Sequence, residues 1–310
     1  MKNLRMLPLL LLLLSFMACK KDKNNNPDND ANSVPQLRAI ASVALTNPCA
    51  IGVSQSGKIA ITEYKQPYGS IGTTKIWNNY SDLMTNKAPA FTLQNIAAEA
   101  VAFDKDDNLY VVETEQTAAI KVYKKVSLNG LDRYDPWKTY QGGFNNPRGI
   151  AFDSSNRLYL ADDGNDRLLR FNNPFENGTN TIVAGTFGNL KGLAIANDIL
   201  YTTGYTSNRL FKSDLTAAGG LNETFIISGM NKLVDVATNG DLVAVSSPEN
   251  STITLLKASS LKTEERYSGK STQIKSTGAI YGLAFIKTSD GKLGLLAAHH
   301  GQNKVILYQP

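Results

Sequence analysis

The chain has 310 residues, 42% of them hydrophobic and 19% charged, with a formal net charge of +5. That composition builds a globular body around one large core or two smaller ones. The excess charge is too small and too scattered to clamp a nucleic acid, or to hold an anionic membrane surface unaided.

The first residues form a targeting segment. Lys2 and Arg5 make a basic start, and Leu7 to Met17 is an apolar run of eleven residues. A bilayer span needs about 20 apolar residues, so this run reads as a signal peptide over residues 1–18. Ser15-Phe16-Met17-Ala18-Cys19 resembles a bacterial lipobox, in which a small residue precedes the cysteine that becomes acylated and N-terminal. Lipidation at Cys19 is what the resemblance implies, with membrane lipid as partner and the cell envelope as location: lipid-anchored at the outer membrane, on its periplasmic or its outer side. Several acyl chains together anchor stably where a single chain does not. Lys20-Lys21-Asp22-Lys23 is similar to the charged signals that carry some Gram-negative lipoproteins to the cell surface; the start of a solvated tether explains it equally well.

Residues 19–36 are polar, Asn-rich and Pro-punctuated, and cannot bury enough apolar surface to order themselves. As a flexible coil from Lys20 to Gln36 this tether spans roughly 20–25 Å. With Cys19 acylated, Cys49 has no partner for an intrachain disulfide, so packing must hold the fold.

From Leu37 to Pro310 short apolar runs alternate with polar turns. Taking the middle apolar residue of each first strand as an anchor gives Val53, Phe103, Phe152, Ile195, Val236 and Phe285. The turns SQSGK, DKDDN, DSSNR and TNGD each separate two apolar runs. A period in the forties made of strands and turns is the signature of propeller blades. Six anchors predict an all-β, six-bladed propeller of four-stranded antiparallel blades. The last repeat lacks a fourth strand and a spare strand, Arg38 to Leu45, precedes the first. Pairing the two closes the ring and removes exposed edges. No segment sustains a 3.6-residue apolar period, so helix should be scarce. The insertion Lys124 to Pro136 is expected on the face opposite the funnel, and the long loop Tyr64 to Thr74 on the funnel side.

The most regular stretch is Asn146 to Phe171. Pro147, Gly149, Ile150, Ala151, Asp153, Asp162, Asn165, Arg167, Leu168 and Phe171 fall at the spacing of a P-x-G-I-A-x-D … V-x-D-x-x-N-x-R-I-x-x-F pattern. The stretch resembles an NHL repeat, a β-propeller blade motif. The resemblance implies structural roles for Asp162 and Arg167, and a monomeric propeller whose ligand sits where first strands begin and second strands end.

Four residues before each anchor lie Cys49, Glu99, Arg148, Lys191, Lys232 and Tyr281. The ligand-binding funnel is therefore expected to use Glu99, Arg148, Lys191, Lys232 and Tyr281, a polar set suited to a small anionic or zwitterionic ligand or a sugar. These charges could equally pair with one another between blades. Ten residues after the anchors come Glu63, Glu113, Asp162, Thr203, Ser246 and Ala297. With His299, one of only two histidines, Glu63, Glu113 and Asp162 could hold a divalent ion of the calcium or zinc class. His299 and His300 also read as an exposed turn pair. Asp104, Asp106 and Asn108 mimic a calcium loop, but Leu109 stands where the sharp turn requires Gly, so the stretch reads as a hairpin turn. No phosphate-cradling glycine loop or nucleophile elbow is present, and no catalytic residue is assigned.

Six-bladed propellers related to NHL proteins include scaffolds, ligand binders, and metal-dependent lactonases and lyases. The Glu-Gly-Pro context of the lactonase metal site is missing here. The expectation is a membrane-tethered binding module for a protein, peptide or small polar ligand, without catalytic activity. The alternative is a metal-dependent hydrolase or lyase using Glu63, Glu113, Asp162 and His299 in the same funnel.

Overall fold

The alternation of apolar and polar residues becomes strand after strand in a computed structural model, which describes residues 33–310 except 65–69, 115–117, 186, 217–223, 228–229 and 262–270. The signal peptide, Cys19 and most of the tether lie outside the described residues.

Six four-stranded antiparallel sheets follow one another along the chain. Their first strands are Pro48–Val53, Ala98–Phe103, Pro147–Phe152, Leu190–Ala196, Val236–Thr238 and Leu283–Lys287. The second strands are Ile59–Glu63, Leu109–Glu113, Leu158–Asp162, Ile199–Gly204, Leu242–Ser247 and Leu293–His299. Each second strand is flanked by its own sheet and by neighbouring blades on both faces. Ile59–Glu63, Leu109–Glu113 and Leu158–Asp162 are accordingly buried at every position. Such strands read as continuous apolar runs rather than alternations. The blades are joined by interdigitating side chains, as where Tyr110 of the second blade meets the Phe152 ring at 4.9 Å, edge to face.

The turns are set by side chains that bond their own backbone. Asp104 Oδ1 accepts the N–H groups of Asp106 and Asn108, at 2.9 and 2.8 Å. Asp153 Oδ1 does the same for Ser155 and Arg157, at 3.0 and 2.9 Å. These are Asx turns, not cation loops.

The ring closes as the spare strand requires. Arg38–Ala44 pairs antiparallel with Lys304–Gln309, placing Val43 opposite Val305. The last blade is thus built from both ends of the described chain, with Arg38–Ala44 as its outermost strand. Among the described residues the single α-helix is Tyr80–Met84, capped by Asn79, whose Oδ1 accepts the Asp82 N–H at 2.8 Å. The insertion Lys124 to Pro136 emerges on the face opposite the funnel, as the far end of a long hairpin, Ala119–Leu128 with Leu131–Tyr140, turned at Asn129-Gly130 with both φ positive; there Asp132 pairs with Lys58 at 2.7 Å. Alternating polar residues there hid a strand whose Tyr134 packs into the core against Phe91 and Phe103 while its neighbours face solvent.

The inner strands approach closely at one position per blade. A Cβ on Gly149 would lie 2.4 Å from the Lys191 carbonyl oxygen, and one on Gly282 2.5 Å from that of Cys49. The equivalents elsewhere are Ala50, Ala100, Gly192 and, in the fifth blade, Asp235. This follows from pairing: Ile51 faces Ile61, Val101 faces Val111, Ile150 faces Leu160, Leu193 faces Thr202 and Val236 faces Val245.

The pairing also corrects the repeat alignment. Thr238, which faces Val243 as Ile195 faces Leu200, is the true counterpart of Val53, Phe103, Phe152, Ile195 and Phe285. Val236 is two residues early. A slip of two keeps every side chain on its own face, so alternation cannot reveal it.

Candidate functional site

The six first strands begin around one cavity of about 510 Å³. Its floor is a ring with one residue per blade: Cys49, Glu99, Arg148, Lys191, Val234 and Tyr281. Five of these match the expected funnel positions. The sixth, Lys232, does not line the cavity because of the slip in the fifth repeat. Val234 takes its place, while Lys232 lies with Nζ 4.5 Å from the centre of the Tyr205 ring. The walls are Tyr64, Tyr205, Pro248, Glu249 and His300.

Arg148 is paired with Glu99 across the boundary between the second and third blades. Its Nε lies 3.7 Å from Asp163 Oδ2, and the same oxygen accepts from Lys191 Nζ at 2.8 Å and from Asn146 Nδ2 at 3.1 Å. Asp163 is only 2% exposed, so one buried carboxylate draws together cations from two adjacent blades. Asp163 follows the last residue of its second strand, one position beyond Asp162. Burial, and then the Arg148 charge, hold the Lys191 ammonium below its usual range, with Asp163 opposing them. Lys191 Nζ also stands 5.0 Å from the Tyr205 ring centre.

Asp235 was missed from the sequence because it stands three residues before the true anchor Thr238, one position past the ring that the spacing singled out. It lines the cavity where the other five blades carry Ala or Gly. Its Oδ2 accepts the Leu283 N–H of the sixth blade at 2.8 Å, so it acts as a wedge between the fifth and sixth inner strands. Burial pushes its carboxyl up to about 7, against the opposing pull of the Leu283 and Val236 N–H groups. Burial also raises the Cys49 thiol to about 12, the nearby Arg148 charge only partly opposing it, which makes this a poor nucleophile near neutrality.

The candidate metal ligands are held apart, each inside its own blade. Glu63, Glu113, Asp162 and His299 are the last residues of four different second strands. The first three repeat one structural device. Each accepts the backbone N–H seventeen residues earlier: Thr46 to Glu63 at 2.9 Å, Ile96 to Glu113 at 2.9 Å and Asn145 to Asp162 at 2.7 Å. Each is also paired with a cation of its third strand: Lys75 at 2.7 Å, Lys121 at 2.8 Å and Arg167 at 2.7 Å. His299 is fully buried, with Nδ1 3.0 Å from Ser276 Oγ and Nε2 3.0 Å from the Tyr308 hydroxyl. Among the described residues, no three His, Cys, Asp or Glu side chains come close enough to share a metal ion. The histidines are therefore not an exposed turn pair. His299 is core, and His300 lines the funnel, its ring 5.1 Å from that of Tyr281 and its Nδ1 buried without a hydrogen-bond partner.

Comparison with known proteins bears on the fold. The NHL repeat model matches residues 144–171. No curated protein sequence gives a significant match. A virginiamycin B lyase from Staphylococcus aureus superimposes with a TM-score of 0.56 at 14% identity, covering 89% of this chain and 100% of that one. A PQQ-bound aldose sugar dehydrogenase from Streptomyces coelicolor gives 0.58 at 12%, covering 88% and 98%. A chain of a nidogen/laminin complex gives 0.56 at 13%, covering 76% and 84%. These are a lyase, a dehydrogenase and part of a complex of two proteins, and at these identities the likeness is one of architecture. The chain is a six-bladed β-propeller that carries an NHL repeat in its third blade.

Proposed function

We propose that this protein is a membrane-tethered, extracytoplasmic binding module that takes a small polar ligand into the propeller funnel. The supporting observation is the cavity itself. About 510 Å³ lies within the range of small-molecule sites, and a few fixed polar groups face it amid tyrosine walls. The ion pairs of Arg148 and Lys191 hold those side chains in place before any ligand arrives, which lowers the ordering cost of binding. A concave floor favours a small molecule over a flat protein surface.

Val234→Phe puts a ring into the cavity floor. Native mass spectrometry of the detergent-solubilised protein, taken directly from its source membrane, should show a co-purifying or added small ligand on the wild type and its loss from the variant. A ligand that stays bound to the filled variant would place the site elsewhere.

The tether has its own expected result. Cys19→Ala should move the protein from the membrane pellet to the soluble fraction. Unchanged sedimentation would refute acylation at that cysteine.

A further inference from the structure

The funnel's charges do not balance within the chain. Arg148 is matched by Glu99, and Lys191 by Asp163, which also stands beside Arg148. Two carboxyl groups remain, both from the fifth blade: Asp235 on the floor and Glu249 on the rim. Their hydrogen-bond partners are neutral. Asp235 accepts the Leu283 N–H at 2.8 Å, and Glu249 accepts from the Tyr205 hydroxyl at 3.2 Å and the Asn231 amide at 3.4 Å. Among the described residues no ammonium or guanidinium forms an ion pair with either, although Lys232 stands over the Tyr205 ring, whose hydroxyl bonds Glu249. The ring geometry does not require Asp235, since five sister blades manage with Gly or Ala. A desolvated carboxyl facing a cavity is costly to ionise without a counter-charge. The walls add aromatic side chains, Tyr64 and Tyr281, which an organic cation prefers, while the Tyr205 ring already carries Lys191 and Lys232.

We infer that the funnel ligand is a small organic cation, an amine or quaternary ammonium, whose charge is received by Asp235 and Glu249 and whose apolar part lies against the tyrosines. This rests on the funnel reading above and reverses the anionic ligand that the cations alone suggest, because Arg148 and Lys191, the two cations that line the cavity, are already neutralised.

A cation beside Asp235 favours its ionised form, so binding releases a proton and tightens as pH rises through the neutral range. The other ionisable groups that line the cavity are Cys49 and Tyr64 from the first blade, Glu99 from the second, Arg148 from the third, Lys191 and Tyr205 from the fourth, Glu249 from the fifth, and Tyr281 and His300 from the sixth, with Asp163 and Lys232 in contact with Lys191 and Tyr205. Burial holds the His300 imidazole below its usual range, with the Pro48 and Asn47 backbone opposing it.

Calorimetric titration of the detergent-solubilised full chain with choline, its uncharged isostere 3,3-dimethylbutanol, putrescine and 3,3-dimethylbutyrate tests the inference. The expected result is binding of choline or putrescine at least about tenfold tighter than the neutral or anionic probes, strengthening about tenfold from pH 5.5 to 8. Asp235→Asn should weaken the cation and flatten that pH dependence. Glu249→Gln, at an exposed rim position, should weaken it less and keep the slope. If the neutral or carboxylate probe binds as tightly as the cations, or neither variant changes cation binding, the cation inference falls while the funnel reading stands. If none of the four probes binds the wild type, the cation inference falls as well, and the mass-spectrometric test of Val234→Phe decides the funnel reading separately.

Discussion

Asp235→Asn should raise the melting temperature at pH 8 and leave it nearly unchanged at pH 4. The folded-state pKa of Asp235 is about 7, against 3.8 for the ordinary carboxyl. Between those values the folded chain holds a proton that the unfolded chain has released, so stability falls as pH rises through that window. Below it both states are protonated and the group contributes nothing; above it the full cost of a buried charge is present. A gap of about three pH units corresponds to at most about 4 kcal/mol. Because Asp235 partly faces the cavity, about 2 kcal/mol is the reasonable expectation, or roughly 4–8 °C for a domain of this size. Asparagine keeps an oxygen for the Leu283 N–H, so the substitution removes the charge and not the wedge. Equal shifts at both pH values, or a drop at pH 8, would contradict a buried, desolvated carboxyl.

Glu113→Ala should be among the most damaging single substitutions in the chain. Its carboxylate is completely buried, accepts the Ile96 N–H at 2.9 Å and pairs with Lys121 at 2.8 Å. Truncation leaves a buried donor unpaired and an ammonium without its counter-charge. Breaking such a pair costs about 3–5 kcal/mol. Lys121 is 31% exposed and can recover some hydration, which places the cost near the lower figure, a fall of roughly 6–12 °C. Glu113→Gln retains an oxygen for Ile96 and should recover part of the loss. The discriminating control is a chelator: the wild type should melt at the same temperature with and without EDTA. A chelator-sensitive wild type, with the sensitivity lost in Glu113→Gln, would restore Glu113 as a metal ligand.

The two residues differ in how visible they were beforehand. Glu113 could be found by counting, because Glu63, Glu113 and Asp162 recur ten residues after regular anchors. Its role could not, since a carboxylate ending a strand looks the same whether it caps a neighbouring N–H or binds an ion. The bond to the residue seventeen positions back, repeated in three blades, is what separates the two. The short strand Val236–Thr238, three residues long, hid the register of the fifth blade, and Asp235 sits one position past the ring even in the right register.

The number of blades, their strand order and the strand that closes the ring were written in the local pattern. Strand propensity, Asx-turn chemistry and the recurrence of the motif act over a few residues and survive small errors of register. The content of the funnel was a different matter. Which side chains share the cavity, and whether their charges are already neutralised, depends on contacts between blades forty or more residues apart. Arg148 and Lys191 look like an anion site along the chain. Only the ring brings Glu99 and Asp163 to them, and leaves Asp235 and Glu249 as the charges still to be met.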